Sequence, residues 1–131
     1  MKKTPKSQGF YFPAEFAPHK ATWLSWPHKE ASWPEKIDSI FPSYMAFIKN
    51  LTKYEEVNIN VCDNQMKDRA SSMLDGFGVD LSKVNFYMHP TNDAWCRDHG
   101  PAFLLNKLDP SKRAIVDWDY NAWGNKYPPF D

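Results

Sequence analysis

Apolar residues recur at spacings of three and four between Trp33 and Tyr54, at Ile37, Ile40, Phe41, Tyr44, Phe47, Ile48 and Leu51. That period lines one face of an amphipathic helix, with Pro42 expected to start or kink its main part. The period then drops to two. Val57 to Val61 alternates Val, Asn, Ile, Asn, Val, as a half-buried strand does. Asp63 can cap a second helix running to about Leu74, and Gly76 and Gly78 are placed to end it. Val84 to Met88 reads as the next strand, and Ala102 to Leu105 and Ala114 to Trp118 as two more, joined by a turn at Asp109-Pro110. Upstream, Ala21 to Trp26 alternates well enough for a short strand that Pro27 stops. Residues 1 to 9 are basic and polar, the composition of a frayed terminus. From Gly9 to Lys20 aromatic residues alternate with prolines, which predicts ordered but non-helical chain. The order strand, helix, strand, helix, strand, hairpin makes an α/β fold, with functional groups on loops at one edge of a sheet.

One stretch escapes both periods. Thr91-Asn92-Asp93-Ala94-Trp95-Cys96-Arg97-Asp98-His99-Gly100-Pro101 is too polar for a core strand and too rich in chemistry for an idle turn. Two carboxylates beside an aromatic ring suit a cationic guest. A planar guanidinium is matched by a carboxylate that accepts two parallel hydrogen bonds and by a ring whose negative face attracts it.

Composition narrows the function without naming it. The chain has 131 residues, 42% of them apolar and 16% aromatic, enough for one domain with an ordered core. Sixteen basic side chains balance sixteen acidic ones, so neither nucleic acid nor a membrane surface is expected as a partner. No run is long enough to span a membrane, and the opening residues lack the apolar region of a secretory signal, so a cytoplasmic home is expected. Cys62 and Cys96 then remain reduced thiols. The four histidines show no metal-ligand spacing, and no structural zinc is expected.

Each candidate has an ordinary structural reading beside the functional one. Asp98 is the candidate carboxylate for a guanidinium; otherwise it caps a turn or pairs with Arg97. Trp95 would wall off or stack on the cation, or be buried in a core. Arg97 is expected to hold the loop together through acids such as Asp93 or Asp117, and His99 is read as structural rather than as a proton shuttle. Cys96 is flanked by acids that disfavour its thiolate, and it faces away from Trp95 and Asp98 if the stretch is extended. It is therefore read as structural. Trp23 and Trp26 are open to either core packing or ligand contact. The segment Asp117 to Asp131 reads as a loop with many aromatic residues, expected to be covered either by a partner or by the remainder of a longer protein.

Several motifs in fixed order resemble a known family. Gly9-Phe10, Pro13-Ala14-Glu15-Phe16, Pro18-His19-Lys20, Thr22-Trp23 and Trp26-Pro27 are followed by Asn92 to Pro101, then by Asp117-Trp118 and Asn121-Ala122-Trp123-Gly124. Together they resemble the agmatine deiminases and bacterial-type peptidylarginine deiminases of the guanidine-modifying superfamily. The resemblance implies a cofactor-free hydrolase of guanidines on a five-bladed α/β propeller, the pentein fold. This chain would supply roughly the first blade and part of the next. Residues 1–8 would be a flexible N-terminus, and 9–131 the N-terminal part of a catalytic domain cut short at its C-terminal end.

By its place in the Trp-x-Arg-Asp-x-Gly-Pro motif, Asp98 resembles the catalytic-site carboxylate that clamps the guanidinium nitrogens, and Trp95 the tryptophan lining the same pocket. The nucleophilic cysteine, the acid/base histidine and a second carboxylate of the family belong to sequence absent here, so this chain alone is expected to be inactive. The implied substrate is agmatine, giving N-carbamoylputrescine and ammonia, or a peptidyl arginine side chain, giving citrulline. The oligomeric state is left open, a homodimer being one option. The alternative is a non-catalytic domain whose aromatic loops bind a cationic ligand or a protein partner.

Overall fold

The computed structural model describes residues 3–126; the part of the aromatic loop from Tyr127 to Asp131 lies outside them. Two three-stranded sheets carry the fold. One runs β2 (Ala21–Ser25), β3 (Glu56–Val61), β4 (Val84–Met88), all parallel, with Leu24 opposite Ile59 and Ile59 opposite Phe86. The other is antiparallel in the order β1 (Phe10–Tyr11), β5 (Ala102–Asn106), β6 (Arg113–Val116). β1 was expected only as ordered, non-helical chain; its pairing with Leu105 and Asn106 is a long-range contact that a two-residue strand cannot announce.

The parallel sheet is built by two crossovers, through α1 (Ile37–Leu51) and α2 (Asn64–Gly76). Successive right-handed crossovers stepping the same way across a sheet put both helices on one face. Period-two alternation supplies that face with Val57, Ile59 and Val61, which are almost wholly buried against Phe41, Met45, Ile48, Ala70 and Leu74. The opposite face carries the alternate residues, and there polar side chains bond across strands. Asn85 donates to Asn58 at 3.1 Å, Asn60 to Ser25 at 3.4 Å, and His89 meets Asn60 at 3.1 Å.

Local signals place the helices. α1 begins five residues before Pro42 and runs through it, so the proline neither starts the helix nor ends it. Phe47, expected on the buried stripe, is 48% exposed, and Met45 is buried in its stead. Asp63 caps α2 as expected, its carboxylate accepting the Met66 amide at 2.7 Å. The stop is made by Gly78, not Gly76. Gly78 takes φ +76°, its N–H bonds the Asp75 carbonyl, and the Val79 N–H bonds the Leu74 carbonyl, a paired closure that also packs buried Val79 against Leu74. At the N-terminus, Lys6–Gln8 form a short 3-10 turn, and buried Asn106 ties it down by donating to the Gln8 carbonyl at 2.9 Å. No helix among the described residues is long and apolar enough to cross a membrane.

Leu74 has no exposed surface. Leu74→Ala should therefore destabilise the folded protein by about 3 kcal/mol, read from a shift in the urea midpoint without a change of slope. A second expectation concerns His19, which meets the Glu55 carboxylate at 2.7 Å. The hydrogen bond that His19 donates to Glu55, followed by the charge of that carboxylate, raises the His19 pKa above the ordinary 6.5. The tie thus stabilises the fold below the unfolded imidazole pKa and is lost as pH rises through the folded one. An NMR titration should put the His19 midpoint above 6.5, and His19→Gln should lower stability on the acid side of that midpoint but not at alkaline pH.

Candidate functional site

The polar stretch leaves the end of β4 and becomes one helical turn, α3 (Cys96–His99), before β5. The sequence leaves its conformation open, an extended form being only a condition on where Cys96 faces. Two backbone bonds make the turn: Asp98 N–H to the Trp95 carbonyl at 3.1 Å and Gly100 N–H to the Cys96 carbonyl at 2.9 Å. Gly100 is required by the second, because a Cβ there would sit 2.7 Å from the Cys96 oxygen.

The turn sorts its side chains. Trp95 immediately precedes the turn, with a non-helical backbone at φ −82° and ψ 54°, and Asp98 follows three positions on within it. Trp95 is 46% exposed and stacks on Trp33, with ring centroids 5.8 Å apart. Asp98 is exposed. The ion pairs among the described residues join His19 to Glu55, Arg69 to Asp38, Arg97 to Glu15 and Lys112 to Asp109, and none includes Asp98. An exposed carboxylate and a half-exposed indole, three residues apart in the chain, are the kinds of group that a planar cation needs.

The neighbours of these two residues point elsewhere. Arg97 bonds Glu15 at 2.7 Å on the surface, not Asp93 or Asp117. Such an exposed pair contributes roughly 0–1 kcal/mol. The Cys96 thiol donates to the Trp23 carbonyl at 3.3 Å. Burial, with the Asp98 charge as a lesser cause, raises its pKa, which fits the structural role expected of it. His99 lies against Tyr120, ring centroids 6.0 Å apart, and its buried Nε2 has no hydrogen-bond partner among the described residues.

Tyr120 precedes the motif Asn121 to Gly124, which closes into a left-handed turn. Ala122, Trp123, Gly124 and Asn125 take φ of 49°, 54°, 79° and 61°. A run of this kind costs on the order of 1–2 kcal/mol per non-glycine residue. The Asn121 side chain offsets part of it by accepting the Gly124 N–H at 3.0 Å.

The two tryptophans left open earlier part company. Trp26 is 2% exposed and stacks on Phe41, so it is core; Trp23 is 41% exposed and packs on Tyr87, centroids 4.7 Å apart. Sequence reasoning passed over Ser32, whose hydroxyl donates to the buried carboxylate of Asp93. Nothing local marks it, since the two residues are 61 positions apart. No three His, Cys, Asp or Glu side chains converge to hold a metal ion among the described residues.

The profile of the Porphyromonas-type peptidyl-arginine deiminase family matches residues 11–131. The chain belongs to that family. Among its relatives, a Vibrio parahaemolyticus protein provisionally named an agmatine deiminase is 38% identical over 130 residues, covering 97% of this chain and 33% of the relative. Of solved structures, the agmatine deiminase of Enterococcus faecalis overlays 94% of this chain and 31% of its own, with a TM-score of 0.76 and 30% identity. A cysteine-to-serine variant of agmatine deiminase from C. jejuni, with substrate bound, overlays 91% of this chain and 32% of its own at a TM-score of 0.69 and 26% identity. The chain thus spans about a third of the length of the deiminases it matches. Its α/β architecture is the portion of a pentein propeller that the sequence led one to expect.

The raised pKa of Cys96 predicts how it behaves as a thiol. Iodoacetamide should label it more slowly than a free cysteine at neutral pH, with labelling accelerating only above the ordinary thiol range of about 8.5. Peptide mapping against pH measures this, and rapid neutral labelling of Cys96 would contradict a buried, structural thiol.

Proposed function

We propose that the protein carrying this chain is a guanidine deiminase, in which this chain supplies half of the clamp that holds the substrate cation. The observation that carries the reading is an exposed Asp98 on the single turn that follows half-exposed Trp95, its carboxylate in no ion pair among the described residues. Membership of the deiminase family and likeness to agmatine deiminases support it.

In this reading the Asp98 carboxylate accepts two N–H bonds from the guanidinium, and Trp95 walls the pocket. A cysteine thiolate from the remainder of the polypeptide attacks the guanidinium carbon. The C–N bond breaks, and the nitrogen leaves as ammonia after taking a proton from a histidine. Water, deprotonated by the same histidine, then attacks the thiouronium carbon; the C–S bond breaks, returning the thiolate and releasing the ureido product. Asp98 contributes by positioning the planar cation for attack and offsetting its charge. No metal or organic cofactor enters these steps. Agmatine would yield N-carbamoylputrescine, and a peptidyl arginine would yield citrulline; agmatine is the first substrate to test, and the cytoplasm the expected setting. This chain by itself would bind weakly and not turn over, because groups that act as a unit lose nearly all their effect when separated.

The test is ammonia release by the full-length protein. Wild type should deiminate agmatine, and Asp98→Asn, which keeps the shape but loses the charge, should lower kcat/KM by about a hundredfold or more, the loss of a charge-assisted pair at roughly 3 kcal/mol. Undiminished kcat/KM in Asp98→Asn would remove Asp98 from the clamp. A wild-type protein that releases no ammonia from any guanidine would overturn the enzyme reading and favour a binding domain.

A further inference from the structure

The Trp95–His99 turn is too short to hold its own position. A single helical turn such as this one, four residues long, is marginal in isolation. Its placement comes from elsewhere. Every second residue of the lead-in engages the segment that follows β2. The Thr91 carbonyl lies 3.0 Å from His28 Nε2, the Asp93 carboxylate accepts the Ser32 hydroxyl, and Trp95 stacks on Trp33 with an interplanar angle of 27°.

We propose that His28 to Trp33 forms a clip that sets the position of the Trp95–Asp98 turn, with Ser32 and His28 as positioning residues of the guanidinium site. The proposal rests on the deiminase reading for its consequence, though not for its geometry.

Two features make the clip more than a surface contact. Asp93 is 4% exposed, and its carboxylate has two donors among the described residues, the Ala94 N–H at 2.7 Å on Oδ1 and Ser32 on Oδ2. A buried carboxylate oxygen stripped of its donor is costly, so without Ser32 the loop must move to find water. His28 ties the other end to the core. Its Nδ1 is 2.9 Å from the carbonyl of Trp26, whose ring is buried on Phe41 of α1. Both carbonyls can only accept, so a neutral ring donates to one of them and an imidazolium to both.

The chain of contacts therefore runs from α1 through Trp26 and His28 to Thr91, and through Ser32 to Asp93, three residues before the turn carrying Asp98 begins at Cys96. A reacting carbon held by Asp98 is sensitive to where that turn sits. A misplacement of about 1 Å can cost on the order of a hundredfold in rate.

The experiment compares wild type, Ser32→Ala and Ser32→Thr in the full-length protein, by agmatine kinetics, melting temperature and amide hydrogen exchange. Ser32→Ala should lower kcat by about tenfold or more while KM changes less, since orientation and not the guanidinium contacts is lost. Amides of residues 94–100 should exchange faster, with those of β3 unchanged. Ser32→Thr, which keeps the hydroxyl, should restore both. An unchanged kcat, a loss that follows melting temperature alone, or unchanged exchange in residues 94–100 would overturn the clip. If wild type deiminates nothing, the functional reading fails, and hydrogen exchange still decides whether the clip exists. Should Ser32→Ala not yield folded protein, His28→Gln, which retains one donor, is put through the same comparison.

Discussion

The structure depends on the burial of one face of a parallel sheet. β3 lies between β2 and β4, and Val57, Ile59 and Val61 meet two helices that right-handed crossovers have placed on the same side. Hydrophobic burial there stabilises the unit at roughly 25 cal/mol per Å² of apolar surface removed from water. Because alternation is strict, burying one face commits Asn58, Asn60 and Asn85 to the other. That second face must be satisfied by side-chain hydrogen bonds, and it is: Asn to Asn, Asn to Ser, His to Asn.

From this constraint the position of the candidate site follows. The strands of the sheet run the same way, so the segments after β2 and β4 emerge at the same edge. The segment after β2 brings His28, Ser32 and Trp33; the segment after β4 brings Thr91, Asp93 and Trp95. They meet because β3 spaces them, not because either sequence codes for the other. The site turn is then framed on its remaining sides by Cys96 against the Trp23 carbonyl and by His99 against Tyr120.

Electrostatics completes the division of labour within the stretch. Of its two carboxylates, Asp93 is buried and engaged while Asp98 is exposed and unpaired among the described residues. Only the second is available to a guest. Arg97 could have quenched it as its chain neighbour, but the helical turn directs the guanidinium to Glu15.

The sequence by itself determined the parts of this protein that local physics controls. The alternation of residues 57–61, the three-and-four spacing from Ile37 to Leu51, the Asp63 cap and the motif ending in Asp98-His99-Gly100-Pro101 are all carried by neighbours along the chain. The family resemblance was legible for the same reason, since it rests on contiguous runs. Tertiary structure decided the rest. Trp26 became core and Trp23 half-exposed, Arg97 turned to Glu15, Phe47 was left outside, and Ser32 reached Asp93 across 61 residues. These outcomes depend on which surfaces meet after the sheet closes, and a pairing between residues so far apart leaves no periodicity or spacing for a sequence to display.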